Sequence, residues 1–506
     1  MKKTFIAILT MFTAYAWASL NAQERTADVK RIEIESESSV THLSCNSIGE
    51  KGLILITKDK DKQKSAEKDY QILTFTQYDT LLNKGKSVDV SCWDRTAGGE
   101  ISEDGFIYWL THTKKGQYDA LLFDGKTMQS KTITVEMEGK MGITNEKLVG
   151  DYLYCYGSQD GNSIVYIINT KTGEKNIVTL PVTNKKKHLC ISFESDEKNK
   201  EVQAFIKDKE ESGYVLKLFT FSNGNLDKKY VIANDEDGKY IESVFASKMD
   251  DGSYIISGTY SDKERGSSTI GIFLKKIDNG KKVFSTYTNY LDITNFTSYM
   301  SNRKQERVEK KKEKKAEKNK EYTIKYNIVP YRVIEENNKY LLVGEAYYPT
   351  YTMRAYTEMV PTGNGGMTPK TRWERVFDGF AYSHYFLIEF DKKGVVEWSN
   401  AAPLAVVKTW FPSLCHHLSI SKDTKSLDIV YPSFGKMNHI SYGYNGEELK
   451  KEDIPYVGEE QTLKRYYNLQ SQYWYGNNFV SSGLLKVKDD DGKREIYSIN
   501  KISFDK

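Results

Sequence analysis

The feature that most constrains this chain is a strand pattern that recurs about every fifty residues. Its clearest copy runs from Asn337 to Trp398, where NNKYLLVGEAYY is followed, after an intervening segment, by HYFLIEFDKKGVVEW. This amino-acid pattern predicts an apolar strand that ends at Gly344, a strand of alternating apolar and polar residues from Tyr385, and a third strand that ends at Trp398. Such a unit cannot bury its faces alone, so other copies must supply its neighbours.

The first strand of this unit occurs eight times. The copies are GLILITK from Gly52, GFIYWLT from Gly105, DYLYCYG from Asp151, EVQAFIK from Glu201, GSYIISG from Gly252, KYLLVGE from Lys339, KSLDIVY from Lys425 and NNFVSSG from Asn477. A period near 50 residues that holds four short strands is typical of a β-propeller blade. We therefore predict an all-β, single-domain β-propeller with eight blades, and seven blades are the alternative.

The final copy of the repeat is one strand short, because the chain stops at Lys506 directly after INKISFDK. The segment VKRIEIES from Val29 belongs to no other copy. We expect this N-terminal strand to complete the last blade and close the ring, which leaves no sheet edge exposed.

Glycine-ended strands followed by runs such as FLIEFDKKGVVEW resemble the repeat of secreted bacterial β-propeller proteins, many of which have no assigned activity. The resemblance covers nearly the whole mature chain. It implies the fold, and it provides no catalytic residues to transfer.

The first 22 residues follow the plan of a secretory signal, with two lysines, an apolar run from Phe5 to Ala18 and a small residue at Ala22. We expect cleavage after Ala22, so that the propeller occupies residues 23–506 in the periplasm or outside the cell. The first cysteine, Cys45, lies too far behind the apolar run for a lipoprotein. No later window has the roughly 18 consecutive apolar residues of a transmembrane helix.

The formal net charge of +4 comes from one segment rather than from the whole surface. Residues 303–321 contain ten Lys/Arg and five Glu, so the rest of the chain gives no indication of nucleic-acid binding. This run lies in an insertion at residues 301–323, and pairs such as Glu306 and Lys310 predict a solvated helix. Two interpretations stay open: an arm that contacts an anionic lipid or polysaccharide surface, and a charged segment without a partner.

A second insertion, at residues 349–383, combines aromatic rings with arginines around a GNGG hinge, and we expect a loop there. Such side chains bind proteins or sugars well because they bury area at low entropy cost and stack on flat faces. The candidate binding residues are Tyr351, Arg354, Tyr356, Arg372, Trp373, Arg375, Phe377 and Tyr382. The alternative is that these rings pack the loop against its own blade.

The densest group of potential metal ligands is Cys415, His416 and His417, with further His/Cys pairs on the equivalent inner strands of other repeats. Adjacent residues of a strand point to opposite faces, so His416 and His417 cannot both face the axis. We predict no metal and no cofactor.

The chain contains no G-x-S-x-G, H-E-x-x-H or glycine-rich phosphate loop. We therefore predict an exported, non-enzymatic binding or scaffold protein that holds a protein or glycan partner in the cell envelope, through a propeller face and the 349–383 segment. The alternative is a glycan-active hydrolase or lyase with carboxylates in the propeller funnel, since such residues come from separate blades. The oligomeric state is left open.

Overall fold

The computed structural model describes residues 27–504, apart from residues 95–99, 103, 115, 137–140, 184–187, 212, 234, 265–267, 331–332, 362, 364, 405–407, 410–418, 423–425, 434 and 491. The expected signal segment and the Cys415-His416-His417 group lie outside the described residues. Within them the chain forms eight antiparallel sheets. No helix of the described part is long and apolar enough to cross a bilayer.

The first strand, β1 (Ala27–Glu35), belongs to the last sheet. The following strands form four sheets, blades 1 to 4, in which each strand pairs with its predecessor. Blade 1 consists of β2 (Val40–Ser47), β3 (Leu53–Asp59), β4 (Tyr70–Tyr78) and β5 (Lys84–Trp93), and blade 2 of β6 (Glu100–Ile101), β7 (Phe106–Lys114), β8 (Gln117–Asp124) and β9 (Gln129–Glu136). Blade 3 consists of β10 (Met141–Val149), β11 (Tyr152–Gln159), β12 (Asn162–Asn169) and β13 (Lys175–Thr179), and blade 4 of β14 (His188–Asp196), β15 (Glu201–Glu210), β16 (Gly213–Ser222) and β17 (Asn225–Ala233). A short helix, α1 (Lys60–Gln63), follows β3.

Blades 5 to 8 continue the pattern, with extra short strands in blades 5 and 6. Blade 5 consists of β18 (Asp235–Glu236), β19 (Lys239–Lys248), β20 (Tyr254–Ser261), β21 (Gly271–Asp278) and β22 (Lys281–Asn289). Blade 6 consists of β23 (Asn327–Pro330), β24 (Ile334–Glu336), β25 (Lys339–Pro361), β26 (Met367–Phe390), β27 (Val396–Pro403) and β28 (Lys408–Thr409). Blade 7 consists of β29 (Ser419–Lys422), β30 (Ser426–Ser433), β31 (Lys436–Gly443) and β32 (Glu448–Pro455), and blade 8 of β33 (Thr462–Tyr475), β34 (Asn478–Asp489), β35 (Gly492–Phe504) and β1. A second helix, α2 (Asn302–Ala316), separates blades 5 and 6.

Each blade packs against both of its neighbours, because its central strands bury both faces. In β3, Leu53 and Leu55 contact blade 8, whereas Ile54 and Ile56 contact blade 2. One apolar cluster of this kind joins every blade to the next, and the eighth joins blade 8 to blade 1. First strands of neighbouring blades also contact each other, as β10 with β14 and β33 with β2. The fold is therefore an eight-bladed propeller, as the sequence predicts.

The N-terminal strand closes the ring. β1 pairs with β35 along its whole length, from Ala27 opposite Phe504 to Glu35 opposite Ile496. Arg494 reinforces this pairing with ion pairs of 2.9 Å to Glu33 and 3.1 Å to Glu35. The expected closure is confirmed, and its strand is the outer edge of blade 8.

The second insertion differs from the expected loop. β25 and β26 continue for 23 and 24 residues and remain paired from Tyr340 opposite Phe390 to Pro361 opposite Met367. Pro349 and the glycines suggest a loop, but strand-like alternation continues through YTMRAYTEMVP, and Pro349 is accommodated opposite Phe380. The expectation of a loop at 349–383 is therefore wrong, and a long β-hairpin takes its place.

Removal of β1 tests the closure. Deletion of residues 27–35 exposes the edge of β35 and uncovers apolar side chains of blades 7 and 8, so we expect the melting temperature to fall by roughly 10 °C or more. The measurement is thermal unfolding followed by circular dichroism. The double variant Asp28→Asn, Lys30→Gln alters only exposed side chains of the same strand and should melt like the wild type. Equal melting temperatures for the deletion and the wild type would refute the closing role.

Candidate binding surface

The hairpin extends beyond blade 6 as a two-stranded ribbon, which we define as residues 350–361 and 367–378. Its pairing is regular from Tyr351 opposite Phe377 to Pro361 opposite Met367. Twelve residues of extended chain span about 40 Å. Most side chains of the ribbon are exposed, whereas those of the same strands within the blade are buried. The ribbon thus projects from the ring into solvent.

The two faces of the ribbon differ in chemistry, because directly paired residues share a face and successive residues alternate. One face, called the apolar face here, carries exposed large side chains, and Trp373 is the most exposed of them at 66%. Its main exposed members are Tyr351, Met353, Met359, Met367 and Trp373, and the partly buried Phe377 lies on the same face near the blade. The opposite, polar face carries mainly charged and hydroxyl side chains, namely Thr352, Arg354, Tyr356, Glu358, Lys370, Arg372 and Glu374, together with Val360 and Val376.

The structure divides the predicted site residues between these faces. On the apolar face, the guanidinium of Arg375 lies 3.9 Å from the ring centroid of Tyr351, in cation–π geometry. Trp373 and Phe377 lie on the same face, and the rings of Phe377 and Tyr351 meet edge to face at 5.9 Å. This face therefore brings together four of the eight predicted site residues.

The remaining predicted residues of the ribbon, Arg354, Tyr356 and Arg372, lie on the polar face. Arg372 Nε is 2.5 Å from Glu358 Oε2, so at least one of these arginines is already paired within the ribbon. Three methionines of the apolar face, Met353, Met359 and Met367, are not among the predicted binding residues. Their signal is period-two spacing, with Met353 and Met359 in phase with Tyr351.

Tyr382 is not part of this surface. It is 1% exposed and packs in the cluster between blades 6 and 7, beside Tyr385 and Leu341. The chain has re-entered the blade by this position, so the prediction of Tyr382 as a binding residue is wrong. A side chain in the core cannot contact an external partner.

Gly379 marks the point where the ribbon leaves the blade. Its φ is +118°, and a β-carbon at this position would lie 2.8 Å from the backbone oxygen of Thr409. Opposite it, Thr350 Oγ1 donates to the Gly379 oxygen at 3.0 Å, beside a β-bulge in the pairing. These contacts fix the base of the ribbon on the blade.

The charged insertion begins beside the same part of blade 6. Phe296 and Tyr299, which precede α2, pack on His384 at ring distances of 4.4 and 4.6 Å. Burial lowers the pKa of His384 to about 3, so its ring is neutral, and Ser383 Oγ lies 2.9 Å from Nδ1. His384 pairs with Ala346 close to the base of the ribbon. Both insertions therefore emerge at one place on the ring.

The inner strands bring one lysine between two carboxylates. Lys147 Nζ lies 2.8 Å from Glu100 Oε2 and 3.5 Å from Glu194 Oε2, which connects blades 2, 3 and 4. Burial opposes the charge of Lys147, but the two carboxylates outweigh it and raise its pKa. A glycosidase pair needs a protonated carboxyl next to an ionised one. The shared ammonium holds Glu100 and Glu194 in an ion-pair network, whereas burial and the neighbouring Glu100 raise the pKa of Glu146 on the same strand as Lys147.

A second buried network lies between blades 7 and 8. His439 contacts Asp428 Oδ1 through Nε2 at 3.0 Å and Glu452 Oε1 through Nδ1 at 2.9 Å, and its ring stacks on Phe504 at 3.8 Å. Burial opposes its positive charge, but the two carboxylates outweigh burial and raise its pKa. The imidazole has no exposed surface, so this group stabilises the ring and is closed to a substrate.

The described cysteines, Cys45, Cys92, Cys155 and Cys190, form no disulfide with one another. Burial raises the pKa of Cys45 and Cys190 to about 12, so these thiols are protonated and unreactive. Within the described ranges no three His, Cys, Asp or Glu side chains are grouped to hold a metal ion. Because Cys415-His416-His417 lies outside these ranges, the absence of a metal stays a prediction.

No protein-family model and no curated protein matches the chain. Among solved structures, it is similar over 80% of its length to 49% of a prolyl endopeptidase (10% identity, TM-score 0.36). Over 94% of its length the chain is similar to the whole of the polysaccharide lyase Uly1, with 11% identity and a TM-score of 0.34. Over 94% of its length it is also similar to 94% of the Dos1 propeller, with 11% identity and a TM-score of 0.37. The chain thus spans about half the length of the endopeptidase. The propeller assignment itself rests on the strand pairing and the eight apolar clusters.

The contrast between Tyr382 and Trp373 is testable by stability. Tyr382→Ala opens a cavity between blades 6 and 7 and should lower the free energy of unfolding by about 3–5 kcal/mol. Trp373→Thr removes an exposed ring and should change it by less than about 0.5 kcal/mol. Denaturant unfolding provides the measurement. A large loss for Trp373→Thr would contradict an exposed apolar face.

The His439 network predicts a pH dependence. The pKa of His439 is raised in the folded state. The stability that its ion pairs provide is therefore complete below the pKa of the unfolded state, about 6.5, and is lost as the pH rises through the pKa of the folded state. The difference in unfolding free energy between wild type and His439→Gln should therefore shrink from pH 6 towards alkaline pH.

His42 is the matched control for this measurement, because burial lowers its pKa to about 4. The unfolding free energy of the wild type minus that of His42→Gln should change in the opposite direction and increase as the pH rises from 4 to about 6.5. Parallel curves for the two variants would contradict a charged His439.

Proposed function

We propose that this chain is an exported, non-enzymatic binding or scaffold protein that holds a protein partner against the apolar face of the ribbon. The observation that carries the proposal is a long apolar sheet face, lined by Trp373, Met353 and Met359, that is exposed to solvent. Contiguous exposed apolar patches of several hundred Å² typically mark interaction sites. A two-stranded ribbon is also only marginally stable alone, and a partner would stabilise it.

The side chains favour a protein over a glycan. Methionine is flexible and polarizable, which suits irregular protein surfaces, and it offers no flat ring for a sugar. Trp373 and the Tyr351–Arg375 pair are of the types that most often dominate protein interfaces. Both outer edges of the ribbon also present backbone groups that a partner strand can pair with. In the glycan alternative, a sugar would stack on the same aromatic rings, and the methionines would have no role in binding.

The rest of the chain fits a scaffold role. The first 22 residues support export, and the ring provides a rigid base for the ribbon at blade 6. The alternative is a glycan-active hydrolase or lyase with carboxylates in the propeller funnel. On the first strands of blades 2 to 4, Lys147 pairs with Glu100 and Glu194, and burial raises the pKa of Glu146.

Two matched variants test the proposal. The apolar-face variant combines Met353→Thr, Met359→Thr and Trp373→Thr, and the polar-face variant combines Arg354→Thr, Lys370→Thr and Arg372→Thr. Threonine keeps the strand propensity in both. We would isolate wild-type complexes from the native envelope fraction, identify the partner by mass spectrometry and measure its affinity for each purified variant.

The purified partner should bind the wild type and the polar-face variant similarly, and bind the apolar-face variant at least about tenfold more weakly. Equal affinity for all three proteins would exclude the apolar face as the binding site. Binding of a neutral oligosaccharide that depends on Trp373 would favour the glycan alternative instead.

A further inference from the structure

The charges of α2 are segregated around the helix axis. Successive residues are rotated by about 100°, so spacing along the sequence fixes the side on which each residue lies. One broad side carries seven exposed cations, Arg303, Lys304, Arg307, Lys310, Lys311, Lys314 and Lys315. The three glutamates, Glu306, Glu309 and Glu313, form a narrow strip beside it. We call the cationic side the basic face.

Contacts with the ring fix the orientation of the basic face. Lys312 Nζ donates to the Leu291 backbone oxygen at 3.1 Å and lies 3.6 Å from Asp292 Oδ1. Gln305, one of the partly buried residues of the helix, donates to the Met300 oxygen at 2.8 Å. Lys312 and Gln305 lie on the side of α2 that faces the ring, so the basic face is directed towards solvent.

The cations of the basic face form no close ion pairs within the described residues. In the part of the chain that the structure describes, none of the seven has a carboxylate within 4 Å, whereas Lys312 has Asp292. Arg303, Arg307, Lys311 and Lys315 follow at intervals of four residues, a spacing at which like charges destabilise a helix. A bound polyanion would relieve this repulsion.

We propose that the basic face of α2 binds a linear anionic polysaccharide. The face is a strip about 20 Å long and one helix wide, which matches a single extended polymer chain. Val308, at the margin of the face, is partly buried, so the face offers no exposed apolar side chain to enter a bilayer, unlike helices that bind membranes. No aromatic ring lies there to stack on nucleobases.

This site is independent of the apolar face of the ribbon. It differs in position, in chemistry and in ligand class, so failure of one proposal leaves the other intact. It would give the protein two attachments at one place on the ring, one to a protein and one to a charged polysaccharide.

The test measures binding of the purified protein to polygalacturonate and dextran sulfate, with neutral dextran as the blank. The basic-face variant combines Arg307→Gln, Lys311→Gln, Lys314→Gln and Lys315→Gln. The matched control removes four exposed lysines of the outer strands β5 and β17, namely Lys84, Lys86, Lys228 and Lys229, also to Gln. Both variants lose the same net charge.

We expect the wild type and the control to bind at least one anionic polysaccharide, with affinity that falls as salt rises. The basic-face variant should bind at least about tenfold more weakly. Equal losses in the two variants would show a net-charge effect and overturn the proposal. So would absence of binding, or tighter binding to phosphatidylglycerol vesicles or duplex DNA than to either polysaccharide.

Discussion

The structure depends on one constraint: the central strands of each blade bury both faces, and no sheet can cover both by itself. Alternate residues of β3 show this directly, since Leu53 and Leu55 contact one neighbour and Ile54 and Ile56 the other. Eight sheets satisfy the constraint only when the last meets the first. The cluster of Trp474 and Tyr497 with Leu53 provides that contact, and β1 completes the edge of the blade that makes it.

Two insertions leave this packing, and both do so at blade 6. In blade 6 the change from buried to exposed occurs within single strands. The parts of β25 and β26 that lie in the blade are buried, whereas the parts that form the ribbon, on the other side of Gly379, are mostly exposed. The ribbon is therefore anchored by the same backbone ladder that holds the blade together. Helix α2 begins beside it, through Tyr299 and Phe296 on His384. An apolar ribbon and a basic helix at one place make this side of the ring chemically distinct.

The sequence predicts the repeated architecture well because its determinants are local. Apolar runs such as GLILITK predict strands buried on both faces, and the eight copies predict the blade number. It predicts the surface less well. Whether Tyr382 or Trp373 faces solvent depends on where the neighbouring blade ends, which is a long-range property. The sequence does not predict the hairpin, because Pro349 and the GNGG segment are typical loop signals, although strand-like alternation continues between them.

Hydrogen exchange of the free protein tests the central claim, that the ribbon projects from the ring without cover. Backbone amides of residues 352–376 should exchange at least about 100-fold faster than those of residues 340–347 and 383–390, which belong to the same two strands inside blade 6. This gradient follows from the change from burial to exposure at Gly379. Equal protection along both strands would contradict it, since the ribbon would then be covered by the ring or by a second copy of the chain.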